Sequence, residues 1–268
     1  MNYPIYKIDA FARDIFSGNP AAVCPLEHWL PDPVMQSIAA ENNLPETAFF
    51  IRDKERFRIR WFSPKCEADL CGHATLATAF VLFNELGYGN DTIFFDSRSG
   101  ELRVTRAGDG LLELDFPSQS PVPCAAPGEL IEGLGRSPQE VLLADDYIAV
   151  FRHPEDVSAL VPDMSLLSLL DARGVAATAP GHDVDFVSRF FVPKYGIDED
   201  PVTGSVHCAL TPYWSARFGK KTLRARQISA RGGELFCTDR GNRIGIAGMA
   251  VKYLEGVITI GDRADKTN

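Results

Sequence analysis

DLCGHATLATAFVLF, from Asp69 to Phe83, decides how the rest of the chain is read. Ala74 to Phe83 carry no charge, so a helix through them is apolar on every side. Such a helix belongs inside a core rather than on a surface. Cys71, Gly72 and His73 stand at its mouth, where a helix start leaves backbone N–H groups without an internal partner. A buried, immobile helix that opens on Cys-Gly-His can hold donors already aimed at an anion. The plain alternative is an ordinary core helix whose Cys and His only pack.

The second half of the chain carries a counterpart. RWFSPK (Arg60 to Lys65) matches RFFVPK (Arg189 to Lys194) at four of six positions. GHATLATAFVLFNELG (Gly72 to Gly87) lies against GSVHCALTPYWSARFG (Gly204 to Gly219), and RSGEL (Arg98 to Leu102) against RGGEL (Arg231 to Leu235). Three blocks in the same order imply an internal duplication, hence two similar domains expected to face each other across a pseudo-twofold axis. The pairing sets Cys71-Gly72-His73 against Thr203-Gly204-Ser205. SQSPVPCAAPG, residues 118–128, is rich in proline and small residues and suits a linker. The expected divisions are a first half over 1–117, the linker 118–128, a second half over 129–262 and a frayed tail over 263–268.

Working outward, YKIDAFA, TAFFIRD, FRIRWFS, TIFFD and LLELDF have the alternation or the short apolar runs of strands. Pro33 to Glu41 suits a helix with Asp32 as its N-cap. Pro212 falls about two turns into the second apolar helix and is expected to kink it or delay its regular start. His153 to Pro162 and Val175 to Asp185 are expected as loops that wall a pocket.

Composition narrows the function. The chain has 268 residues, 45% apolar and 24% charged, as in a globular protein. A formal charge of −9 argues against nucleic-acid or membrane-surface partners. The six cysteines are scattered with no C-x-x-C pair, no secretory leader pattern opens the sequence, and no apolar run approaches membrane-spanning length. A reducing cytoplasm is the expected location. No G-x-G-x-x-G, Walker or H-E-x-x-H pattern occurs, and the five histidines show no metal-site spacing beyond the adjacent His207-Cys208. No metal and no cofactor is demanded. Ser205 lacks a G-x-S-x-G setting, so it suits a cap or ligand donor better than a nucleophile.

Two helix starts directed into one cleft would bind a carboxylate and steady enolate-like charge beside it. Glycine at each entry, Gly72 and Gly204, lets a ligand approach the backbone. Such a cradle needs a proton mover. Glu46, after a proline at the entry of an apolar strand, is expected to have its pKa raised by desolvation and to work as a general base. His73 could be the complementary acid or base. Asp200, in Asp-Pro before Thr-Gly-Ser, suits a helix-capping turn that keeps one carboxylate at the cleft. Asn19, in SGNPAAV, is a turn residue first and a substrate contact second.

Taken together, GNPAAV, PETAF, DLCGHATLA, SRFFVP and EDPVTGS resemble the signature of the phenazine-biosynthesis isomerase family, also called phenazine biosynthesis-like proteins. The resemblance runs from about Tyr6 to Ile260. It implies an α+β fold like that of diaminopimelate epimerase: two pseudo-symmetric domains, each a barrel-like, mostly antiparallel sheet wrapped around a central apolar helix. It implies Glu46 as the proton-shuttling base, His73 and Asp200 as its polar partners, and Gly72, Gly204 and Ser205 as the helix starts that hold the substrate carboxylate. It further implies homodimers and a cofactor-free reaction, founded on a dihydro-hydroxyanthranilate whose proton leaves one carbon and returns to another. Diaminopimelate epimerases use two thiols, one from each half. Here Cys71 is matched by Thr203, so a single carboxyl acting on one face fits better, with Cys71 kept as a substrate contact or a packing relic. A Cys71-dependent epimerase and a catalytically silent binding or scaffold protein on the same fold are the alternatives.

Overall fold

The computed structural model describes residues 1–261, so the tail expected at 263–268 lies outside the described residues. The chain forms two compact units. Unit 1 is Met1–Leu114 together with the strand that returns after Gly248; unit 2 is Asp115–Ala247.

Unit 1 is built from β1 (Asn2–Ala10), β2 (Asn19–Leu26), α1 (Asp32–Asn42), β3 (Glu46–Asp53), β4 (Arg56–Phe62), the short β5 (Glu67–Ala68), α2 (Gly72–Phe80), β6 (Thr92–Ser97), β7 (Gly100–Arg106) and β8 (Leu112–Pro117). Most neighbours pair antiparallel, and two pairs are parallel: β2 with β3 and β4 with β6. A parallel pair needs a crossover, and a helix supplies each one, α1 for the first pair and α2 for the second. α2 touches β1, β2, β3 and β7 as well as the returning strand, so strands from both flanks of the sheet close around it. Every residue from His73 to Ala79 is buried, as the uncharged run requires. Its last turn widens into a π-helix over Val81–Glu85.

Unit 2 repeats the plan with β9 (Val122–Pro123), α3 (Gly128–Leu134), β10 (Glu140–Leu143), β11 (Tyr147–Val150), α4 (Pro154–Ser158), α5 (Met164–Leu167), β12 (Val175–Pro180), β13 (Phe186–Val192), β14 (Ile197–Asp200), α6 (Gly204–Phe218), β15 (Thr222–Gln227), β16 (Gly233–Asp239) and β17 (Arg243–Gly248). Again two pairs are parallel, β11 with β12 and β13 with β15, bridged by α4–α5 and by α6. α6 packs on β15 and β16. On its other side Trp214 Nε1 donates to Thr178 Oγ1 of β12 at 3.0 Å, and Tyr213 donates to Glu140 of β10 at 2.8 Å.

The duplication therefore extends to strand order, and to an ion pair. Arg60 of β4 grips Glu67 of β5 through Nε and Nη2 at 2.7 and 2.8 Å; Arg189 of β13 grips Glu199 of β14 through the same two nitrogens, both at 2.8 Å. The fold class is the expected α+β arrangement of two related halves.

Several local expectations give way. Residues 118–128 are tied into unit 2 rather than left as a linker: Ser118 N–H donates to Asn242 O, Cys124 N–H donates to Val141 O, and β9 pairs with β10. The final strand, β18 (Ala250–Thr259), pairs antiparallel with β1, so it joins the first half rather than the second as the 129–262 division expected. Asp32 is the first helical residue of α1, not its cap; extended Pro31 takes that place, and the Asp32 carboxylate accepts from Arg60 Nη1 at 2.8 Å. α6 runs continuously through Pro212. Proline offers no N–H to the carbonyl four residues back. That carbonyl, on Cys208, accepts instead from Gln119 N–H at 3.0 Å. Val175 to Pro180, expected in a loop, is a central strand with five of its six residues buried, and α4 occupies much of the other expected loop. Among the described residues, no helix is long and apolar enough to cross a membrane.

Candidate active site

Both central helices begin in the same way. Cys71 before α2 is extended (φ −145°, ψ 107°), as is Thr203 before α6 (φ −117°, ψ 101°), and neither side chain caps its own first turn. One turn further on, Thr75 Oγ1 donates to Cys71 O at 2.6 Å, and His207 Nδ1 lies 2.7 Å from Thr203 O. A carbonyl can only accept, so Nδ1 of His207 carries the proton. These side chains fix the extended residues against the helices.

In unit 1 the start of α2 gathers three reactive groups. Glu46 opens β3, and its Oε2 lies 3.2 Å from His73 Nε2, without the alignment of a good hydrogen bond. On the other side of the ring, Cys71 Sγ lies 3.5 Å from Nδ1. Burial drives the His73 pKa down to about 3, so the imidazole is neutral at ordinary pH. A neutral imidazole has one N–H and one bare nitrogen, so His73 can offer a proton to one neighbour and a lone pair to the other. The Glu46, Cys71 and His73 donor atoms all fall within 4.8 Å of one another, close enough to suggest a metal ion. However, thiol and carboxylate approach different ring nitrogens, and one ion can take only one of them. An ion taken at one ring nitrogen leaves the other to a single neighbour, whereas a neutral imidazole between the two can pass a proton.

Asn19 is wholly buried at the start of β2, two residues before Ala21, which pairs with Glu46. The turn that delivers it requires Gly18, whose φ is +66° and where a Cβ would lie 2.2 Å from Ala10 O.

In unit 2 Asp200 ends β14 and accepts a hydrogen bond from the Thr203 hydroxyl. The buried Gln227 amide spans the same turn: its Nε2 donates to Asp200 O at 2.7 Å, and its Oε1 accepts from Thr203 N–H at 2.9 Å. Gly204 is buried, while Ser205 is half-buried. Ser205 Oγ accepts from Arg173 Nη1 at 3.1 Å. Arg173 is in turn gripped by the buried Asp146, at 3.0 Å from Nε and by a second bond from Nη2. Arg173, Asp146 and Gln227 are absent from the sequence-derived site. Glu46, Cys71 and His73 are thus brought together within unit 1, and Asp200, Gly204 and Ser205 within unit 2.

Strand register locates the second-half counterpart of Glu46. Thr47 pairs with Phe62, and Val175 pairs with Phe191. Phe62 and Phe191 are equivalent in the repeat, so Val175 corresponds to Thr47 and Gly174 to Glu46. A Cβ at Gly174 would lie 2.5 Å from Phe191 O and 2.9 Å from Phe190 Cζ, so no side chain fits there without displacement.

The profile described as phenazine biosynthesis-like protein, PhzC-PhzF, matches residues 8–256. The chain belongs to the phenazine biosynthesis-like family. An uncharacterized isomerase of Pseudomonas aeruginosa is 51% identical over 96% of this chain and 99% of its own length. Phenazine biosynthesis-like domain-containing protein 2 of Mus musculus is 42% identical, over 97% of this chain and all of its own. Among solved structures, a phenazine biosynthesis protein of the PhzF family from Enterococcus faecalis superposes with a TM-score of 0.95 at 48% identity, covering 97% of this chain and 100% of its own. The family resemblance drawn from the motifs holds over nearly the whole chain, and the protein is an isomerase of this family.

Proposed function

We propose that the protein is a cofactor-independent isomerase that moves a proton within a small cyclic or unsaturated carboxylic acid, in a cleft onto which both helix starts open. Glu46 takes a proton from carbon, and the electron pair left behind delocalises toward the substrate carboxylate as an enolate. Glu46 then returns the proton to a different carbon, so no net redox change occurs. His73, neutral, shares the proton with Glu46 in transit. Gly72, Gly204 and Ser205 hold the carboxylate with backbone and hydroxyl donors, Asp200 fixes the turn at the second helix start, and Asn19 contacts substrate beside Glu46.

The observation that carries this reading is the pairing of Glu46 with a neutral His73 at the start of α2, with no room for a matching acid at Gly174. One carboxyl suits removal and return on the same face; inversion would call for a base on each face. The exposed apolar side chains of Phe16, Tyr253, Leu254 and Val257 suit contact with a second copy, in keeping with a homodimer. The cytoplasmic location expected from free thiols fits the same picture, since the described cysteines form no disulfide.

The experiment is incubation in deuterated water with a dihydro-hydroxyanthranilate and related unsaturated cyclic acids. The wild-type protein should exchange or transfer solvent hydrogen, and Glu46→Gln should slow this by about 10³-fold, in the range for loss of a general base. Exchange at the wild-type rate in Glu46→Gln overturns the role of Glu46. The approach of Cys71 Sγ to His73 Nδ1 keeps a thiol-dependent epimerase as the second reading. Full activity after complete alkylation of Cys71 eliminates it.

A further inference from the structure

Arg173 sits at the corner of unit 2 that corresponds to the Glu46 corner of unit 1, one residue before Gly174. Its surroundings fix both its position and its chemistry. Asp146 takes Nε–H and one Nη2–H, Ser205 takes one Nη1–H, and the Phe190 ring covers the guanidinium at 5.2 Å. A guanidinium carries five N–H donors and no acceptor. Two donors are therefore not spent on any described residue, although the group is only 35% exposed. Asp146 offsets the charge of Arg173, so what the corner offers is direction rather than net charge.

The bond to Ser205 has a consequence for the hydroxyl. Because Arg173 can only donate, Ser205 Oγ must accept, and its own proton is turned toward another acceptor. A serine that starts a helix, locked as a donor beside remaining guanidinium N–H groups, matches the lone pairs of a carboxylate.

We propose that Arg173 is the specificity-determining residue of this site: it selects a carboxylate over a neutral group by locking Ser205 as a hydrogen-bond donor and adding its own N–H beside it. This rests on the proposed function for the location of the substrate, and extends it by assigning the recognition of the anion to unit 2. Asp146 acts through Arg173 as a positioning residue.

The test is calorimetric titration with benzoate and with benzamide, its neutral counterpart, using the full chain as wild type, Arg173→Met, Arg173→Lys and Ser205→Ala. Wild type should bind benzoate at ~1 mM or better. Arg173→Met should weaken benzoate about 10-fold or more, the scale of a lost charge-assisted hydrogen bond, and leave benzamide within about twofold. Arg173→Lys should not restore benzoate binding, since an ammonium cannot grip Asp146 and Ser205 in one plane. Ser205→Ala combined with Arg173→Met should weaken benzoate little more than either alone, as expected of coupled groups. Benzoate binding unchanged in Arg173→Met, equal losses of benzoate and benzamide, or no benzoate binding by wild type would each overturn the proposal. Should Arg173→Met fail to fold, Arg173→Lys decides, and wild-type affinity in it is the overturning result. The two readings fail separately: exchange surviving in Glu46→Gln removes the proton-transfer reading and leaves the anion site, whereas a benzoate titration indifferent to Arg173 removes only the latter.

Discussion

The two helix starts share a frame and differ in chemistry. Each follows an extended residue, is held by a side chain one turn in, and comes after a partly buried arginine–glutamate pair on the preceding strands. On that frame unit 1 places an acid, a neutral imidazole and a thiol, whereas unit 2 places a clamped guanidinium, a hydroxyl and a carboxylate held by its own turn. The duplicated backbone provides two equivalent anchor points. Single residues, Glu46 against Gly174 at the strand entry and His73 against Ser205 in the first turn of the helix, then set what each point can do.

This comparison breaks most visibly at Gly174. If the missing Cβ is what bars a second acid, Gly174→Ala should destabilise the protein by about 3 kcal/mol through overpacking against Phe190 and Phe191. Denaturant titration measures this, and a loss below about 0.5 kcal/mol would mean the second corner is free to accept a side chain. The shared frame is sharpened by Arg60→Met and Arg189→Met. Arg189→Met leaves the largely buried Glu199 without its arginine and should cost about 2 kcal/mol; Arg60→Met should cost about 1 kcal/mol, because Arg98 Nη2 still reaches Glu67 at 2.6 Å. A larger loss in Arg60→Met than in Arg189→Met would show that the ion pairs are equivalent in geometry only.

Acid should act on both halves. His73 and His207 are buried, with pKa values lowered to about 3 and about 4. Below about pH 6.5 the unfolded chain takes up their protons and the native chain does not. Stability that is complete above that pH therefore falls by about 1.4 kcal/mol per pH unit for each histidine until the folded pKa values are reached. His207→Gln should remove about half of this slope in urea titrations between pH 7 and 5. The smallest effect is expected at Cys71. Cys71→Thr makes the first cap like the second and should change stability by less than about 1 kcal/mol, with isomerase activity kept within about threefold if Glu46 and His73 carry the proton.

The duplication and the first corner could be read from sequence because their signals are local. The uncharged run after His73, the matched Arg-x-Phe-x-Pro-Lys strands and the glycine entries each lie within a few residues. Arg173 and Asp146 could not be read this way. They meet only because β11 and β12 are parallel neighbours, Tyr147 opposite Val175, and nothing local marks that register. Val175 to Pro180 reads as a loop because its residues are small and show no alternation, although small size is what a crowded interior position requires. Pro212 reads as a kink or a delayed start in α6, but the carbonyl it frees is taken by Gln119, a partner far away in sequence.

The pairing of β18 with β1 also bears on how the chain matures. A ribosome releases β1 first and β18 after every strand of unit 2. Unit 2 has all its strands in one uninterrupted segment, so it can finish first, while unit 1 must keep a sheet edge open until β18 has been made. The half that starts earliest closes last, and that exposed edge is the place where a stalled or truncated chain would be vulnerable to aggregation.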